Sequence, residues 1–237
     1  MNTVQMKEFS KKRLAENRWP MVLVALIITL IGGFISFTTM PKIDFNYTSI
    51  TSGGAEVINT VTKSVSPIVS ILMFAFTHLI KNPLQVGCCH FFRKNVYQNA
   101  VVEDVLIGFR SYVNTVLTMF VMTIAIGIGI MLCVVPGVIL ALGLMLVPYI
   151  VAENPNLGVF ETLTLSWDKM KGHKGEYLVL ILSFIGWALL SIITLGLVGI
   201  FYASPYANQT FAAYADRILN EPVQEMNKTT WDGTPVQ

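Results

Sequence analysis

Of 237 residues, 54% are hydrophobic and only 13% are charged, and the mean hydropathy is +0.62. A water-soluble domain of that composition would aggregate, so lipid is the expected solvent for most of the chain. The net charge of +2 is too small to imply a nucleic-acid partner, and three cysteines, none in a loop exposed to oxidation, do not make a disulfide framework.

Residues 1–20 read as a basic helix on the cytoplasmic side. Within it Val4, Phe9 and Leu14 can lie against a membrane while Lys7, Lys11, Lys12 and Arg13 face water and anionic headgroups. Trp19 stands at interfacial depth, and Pro20 suits a first helical turn. The charge-free run from Met21 to Met40 is the first span; it is longer than a signal-peptide core and lacks a cleavage site near Thr38 to Asp44. Residues 41–66 form the outer loop, rich in Thr, Ser, Asn and Gly, with a turn or two of helix near Glu56 to Lys63.

The second span runs from Pro67 to about Gly87, with Lys81 late enough to snorkel to the inner interface. Cys88, Cys89 and His90 follow as a compact donor group, but consecutive helical side chains diverge by about 100°, so packing is the expected role and no metal site is assigned. Spans three (Val113 to Val135) and four (Gly137 to Ala152) have no polar loop between them. Pro136-Gly137 therefore predicts a tight antiparallel hairpin, with Gly supplying a positive backbone angle and Gly127, Gly137, Ala141 and Gly143 allowing close approach. Pro148 predicts a kink.

After Glu153-Asn154-Pro155-Asn156, the residues Leu157, Phe160, Leu163 or Thr164, Trp167 and Met170 recur on one helical face. This predicts an amphipathic interfacial helix over about 156–172 along the cytoplasmic leaflet, ended by Gly172 in the left-handed conformation. The fifth span covers Tyr177 to Gly199 and the sixth about Ala203 to Leu219, and residues 220–237 form a polar cytoplasmic tail.

The fold class is thus all-α: a polytopic membrane bundle of about six transmembrane helices over 21–219, with both termini inside. The positive-inside rule supports one threading. Lys7, Lys11, Lys12, Arg13, Arg18, Arg93, Lys94 and Arg110 fall inside, as do Lys169, Lys171, Lys174, Arg217 and Lys228, which leaves Lys42 and Lys63 outside.

Several segments carry a family likeness: Glu153-Asn154-Pro155 through Ser166, Met170-Lys171-Gly172-His173-Lys174, and Leu182-Ser183-Phe184-Ile185-Gly186-Trp187. Pro136-Gly137 precedes them, and Thr194, Gly196, Pro205-Tyr206, Thr210 and Tyr214 follow. Gly87, Gly108-Phe109 and the lead-in Asn17-Arg18-Trp19 also fit. Together these residues resemble the bacterial integral-membrane family catalogued as domain of unknown function nine-seven-five. The likeness spans nearly the whole chain and is specific from Pro136 onward. It implies a multi-helix protein of the bacterial cytoplasmic (inner) membrane and supplies no reaction or substrate.

Three groups of residues are candidate sites. Lys171, His173 and Lys174, near Trp167, fit a lipid- or partner-binding surface that faces a phosphate or an acidic segment, and equally fit topology anchoring at a helix end. Glu153 either pairs with Lys171 or Lys174 or stays solvated. Asn208, Gln209 and Thr210 either hydrogen-bond across helices, with Ser183, Ser191 and Thr194 as candidate partners, or line a polar path.

No midplane carboxylate, His-Glu-x-x-His helix, Gly-x-Ser-x-Gly turn or phosphate-cradling loop occurs. No catalytic residue and no cofactor is therefore expected. The sequence points to a non-catalytic protein that associates with anionic membrane lipids, with another membrane protein or with itself. A facilitator for a small neutral or amphiphilic solute is the alternative.

Overall fold

The computed structural model describes residues 3–39 and 75–221, and every regular element among them is helical. α1 (Thr3–Glu16) and α2 (Arg18–Thr39) meet at Asn17. Asn17 clamps this break: its side-chain amide donates to Asn95 Oδ1 at 2.8 Å and to the Ala100 carbonyl at 3.1 Å. Of the residues expected to lie against the membrane, Val4 faces outward and Phe9 is half-buried, but Leu14 turns into the protein. The buried stripe of α1 is Met6, Ser10 and Leu14, one residue per turn, packed on the last helix.

A π-helical turn (Thr77–Lys81) leads into α3 (Asn82–Tyr97). The expected second span lies partly outside the described residues, as does the whole outer loop, and its end at Gly87 is overrun. α3 continues to Tyr97 because its later residues Phe91, Phe92, Arg93 and Asn95 all find buried partners. A 3-10 helix (Val102–Phe109) then folds back along α3. The approach is so close that a Cβ on Gly87 would overlap the Val105 carbonyl and one on Gly108 the Pro83 carbonyl.

α4 (Tyr112–Leu132) and α5 (Val134–Glu153) form the expected hairpin. The turn, however, is at Cys133, whose backbone is extended, and Pro136 and Gly137 already lie inside α5. Gly137 is needed for proximity and not for a positive φ, since a Cβ there would come within 2.7 Å of the Ile130 nitrogen. Gly127, by contrast, faces open space. α5 breaks at 144–146 and resumes with Pro148 in its new first turn, as the missing N–H of proline requires.

α6 (Val159–Lys169) is shorter than the expected 156–172, and Gly172 ends the following turn at φ +80°. α7 (Lys174–Ile193) bends at Ser183–Phe184, and a π-helical turn (Gly199–Ala203) opens α8 (Ser204–Asn220). α7 leans on α8 through aromatic pairs: Tyr177 with Tyr214, Phe184 with Tyr206 and Trp187 with Tyr202, at ring separations of 5.4, 5.3 and 4.9 Å. Each such pair contributes about 0.5–1.5 kcal/mol beyond its buried area.

Among the described residues three helices, α4, α5 and α7, are long and apolar enough to cross a membrane, and they coincide with the third, fourth and fifth predicted spans. α8 is not one of them. It carries Asp216 and Arg217 and is buried through most of its length. The core gathers at one end, where Met21, Phe91, Phe92, Ile150, Tyr214 and Ile218 interlock. Away from it the surface is apolar and open: Ile128, Met131, Leu132, Val134, Ile192 and Leu195 are all exposed.

Candidate functional site

At the packed end of the bundle the start of α2 meets the ends of α3 and α8, and the end of α5 meets α3. Polar side chains hold these junctions. Gln209, on the inward face of α8, is 0% exposed. Its Oε1 accepts from Asn95 Nδ2 at 3.0 Å, and its Nε2 donates to the Phe92 carbonyl at 3.2 Å. Asn95 Oδ1 accepts in turn from Asn17 and from the Ala100 N–H, so both amides are satisfied. Thr210 is likewise wholly buried and donates to the Tyr206 carbonyl, while Asn208 donates to that of Ser204. The partners of Gln209 lie on α3. Ser183 and Thr194, proposed from the sequence, donate to carbonyls of their own stretch of chain, and Ser191 packs against Gly199.

About two turns further along α8 lies an ionic group that the sequence did not reveal. Arg93 Nε donates to Asp216 Oδ1 at 3.0 Å, and its Nη1 pairs with Glu153. Asp216 Oδ2 accepts from the Tyr97 hydroxyl, which accepts from Asn220 Nδ2 at 2.9 Å. Glu153 therefore pairs with neither Lys171 nor Lys174: its partner is one helix away in space and sixty residues back in sequence. The signal available was the spacing of Gln209, Asp216 and Asn220 along one face of the last helix.

The α6–α7 junction holds the basic residues. α6 turns two of its hydroxyls inward and leaves Thr164 exposed. Thr162 and Ser166 are fully buried, and Ser166 donates to the Gly143 carbonyl at 2.9 Å, while Phe160 is 77% exposed. The Trp167 ring lies on Gly143, where a Cβ would overlap it, and Lys174 Nζ sits 3.1 Å above that ring, a cation–π contact. Lys171 pairs with Asp168 at 2.7 Å. His173 stands between Glu176 and Glu221, at 3.7 and 3.5 Å, and its carbonyl accepts from Tyr214. Lys169 donates to the carbonyls of Leu219 and Glu221 and so caps α8. Trp167 and Lys174 are brought together, whereas Lys171 and His173 each turn to carboxylates.

Of the donor group before the 3-10 helix, Cys88 is buried among apolar residues and Cys89 packs half-buried against the same core. Among the described residues no three His, Cys, Asp or Glu side chains are placed to hold a metal ion.

Residues 114–221, from the first turn of α4 to just past α8, match the model of a family described as Protein of unknown function (DUF975). The likeness carried by the residues from Pro136 onward is thereby shown over that segment. No curated protein and no solved structure matches the chain.

Proposed function

We propose that this is a non-catalytic, multi-pass protein of the bacterial inner membrane that works by association, with α6 and the start of α7 as its docking surface for anionic lipid. The orientation of α6 carries the reading. Leu163 and Leu165 of α6 and the following Met170 pack inward, while Phe160, 77% exposed, is the one large apolar side chain that α6 turns outward, where it suits an apolar neighbour. Lys171 and Lys174 border that face, where each lysine near an anionic surface contributes about 1 kcal/mol. The threading accords with this arrangement. The ends of α3, α5 and α8 and the starts of α2, α4 and α7 converge on the basic side, which suits chain termini on one face. Gln209 and Thr210 are wholly buried and bonded, so nothing favours a solute path along α8.

The test replaces Lys171, His173 and Lys174 with Gln and measures the enrichment of phosphatidylglycerol over phosphatidylcholine in the lipid retained by the purified protein. Because Asp168 already holds Lys171, the expected loss of preference is about tenfold and not the full sum of two free lysines. Unchanged enrichment would discard the docking role.

A further inference from the structure

A cavity of about 500 Å³ opens between α3, the 3-10 helix, the start of α4 and the end of α5. Its floor is apolar, formed by Val86, Ile107 and Val151. Its polar walls come from three directions: His90 from α3, Arg110 and Ser111 from the turn before α4, and Glu153 from the end of α5.

The frame is rigid. Gly87 and Gly108 let the 3-10 helix lie directly on the α3 backbone. Lys94 then clamps it through Asp104 at 2.7 Å, while Asp104 Oδ2 accepts the Val101 N–H. Across the opening, Asn114 Nδ2 donates to the Pro155 and Leu157 carbonyls at 2.8 Å each, which ties the far rim to α4. Arg93 fixes Glu153 by its Oε1.

Of the groups that line the space, Arg110 and Ser111 are unspent and Glu153 is engaged through one oxygen. Among the described residues Arg110 makes no ion pair, and the Ser111 hydroxyl caps nothing. The Glu153 side chain remains 37% exposed beside its pairing with Arg93. Burial lowers the pKa of His90 against the opposing pull of Asp104 and Glu153, which disfavours a charged imidazole in the lining. An unpaired guanidinium on one wall and a carboxylate on another, not joined to each other, are complementary to a ligand that carries both signs. About 300–1,000 Å³ is ordinary for a small-molecule site. The only aromatic ring in the lining is His90, so there is no aromatic cage of the kind that holds a quaternary ammonium. A primary ammonium, which donates hydrogen bonds to a carboxylate, fits instead.

We propose that this cavity binds an aminoalkyl phosphate, with the phosphate on Arg110 and Ser111 and the primary ammonium on Glu153. The same chemistry occurs as free phosphoethanolamine and as the headgroup of phosphatidylethanolamine. This site is separate from the α6 surface, so the Lys171, His173 and Lys174 replacements leave it intact.

The test follows thermal unfolding of the full-length protein in delipidated maltoside micelles, where a ligand that binds only the folded state raises Tm. O-phosphoethanolamine is titrated beside inorganic phosphate, ethanolamine and phosphocholine. In a second arm, micelles are doped with phosphatidylethanolamine or with phosphatidylcholine. O-phosphoethanolamine or phosphatidylethanolamine should stabilise at concentrations where the other compounds do not. Stabilisation by the soluble compound assigns a free metabolite, and stabilisation by the lipid alone assigns a headgroup. Arg110→Gln, an exposed and unpaired position, should leave the unliganded Tm unchanged and weaken the response about tenfold or more. Glu153→Gln, where it folds, should erase the preference for the zwitterion over phosphate. If no arm shifts Tm, if phosphate alone equals the zwitterion, if an amino acid such as glycine replaces it fully, or if Arg110→Gln responds as the parent does, the proposal is overturned.

Discussion

Arg93→Met should lower stability by about 3–5 kcal/mol, the usual result of removing one partner from a buried ion pair. That is a large share of the roughly 5–15 kcal/mol that holds a typical domain together. Arg93 and Asp216 retain side-chain exposures of only 11% and 9%, so Asp216 would be left charged with only the Tyr97 hydroxyl for company. Glu153 suffers less, because its own exposure lets water replace the guanidinium. The cost is thus mainly an orphaned charge and not a lost attraction. Adding Asp216→Leu to Arg93→Met should therefore recover much of the loss, since replacing a buried pair with apolar groups of similar volume is often neutral. Denaturant or thermal unfolding in micelles reads both variants. A double variant no better than the single would mean that the ion pair itself, and not the stranded carboxylate, carries the stability.

Gly87→Ala should cost about 3 kcal/mol or prevent accumulation of folded protein. In an open helix the same change gains up to about 1 kcal/mol from helix propensity. Here the new methyl would occupy the space of the Val105 carbonyl, a backbone atom that no side-chain rotation can move aside. Overpacking against side chains costs about 1–3 kcal/mol, and backbone contact belongs at or above the top of that range. Gly175→Ala and Gly186→Ala on α7, where nothing lies within 4 Å, serve as internal controls and should be neutral or slightly stabilising. Equal behaviour of Gly87→Ala and the two controls in a thermal scan would show that the 3-10 helix does not lie as closely on α3 as described. The cavity walls would then be looser too.

What could be read from the sequence follows from the range of the interactions involved. α4, α5 and α7 declare themselves because a long apolar run is a local property, and the breaks at Pro148 and Gly172 are local backbone chemistry. The pairing of Glu153 with Arg93 is not local, and nothing near Glu153 announces it. Periodicity marks an apolar stripe on α6 but not that it divides, with Leu163 and the following Met170 packed inward and Phe160 turned out. When lipid is the solvent, an apolar face turns outward as readily as inward, and small hydroxyl residues such as Thr162 and Ser166 allow the close internal contact. α1 divides its apolar residues in the same way, burying Leu14 with Met6 and Ser10 while Val4 stays outside. Of the two reasons the sequence offers for Gly137, close approach holds and a positive φ does not. Its proximity to Ile130 depends on where α5 begins, which is set by Cys133 three residues before the Pro-Gly pair.

Labelling with a membrane-impermeant maleimide bears most directly on the threading from which every assignment of sidedness descends. Cys133 is exposed at the tip of the α4–α5 hairpin, and Lys12 lies on α1 at the opposite, packed end. In a background with Cys88 and Cys89 replaced by Ala, Cys133 should react on intact cells. Lys12→Cys, in a chain whose Cys133 is also removed, should react only after permeabilisation. Reaction of both positions from the same face of the membrane would contradict the arrangement of the helices across it.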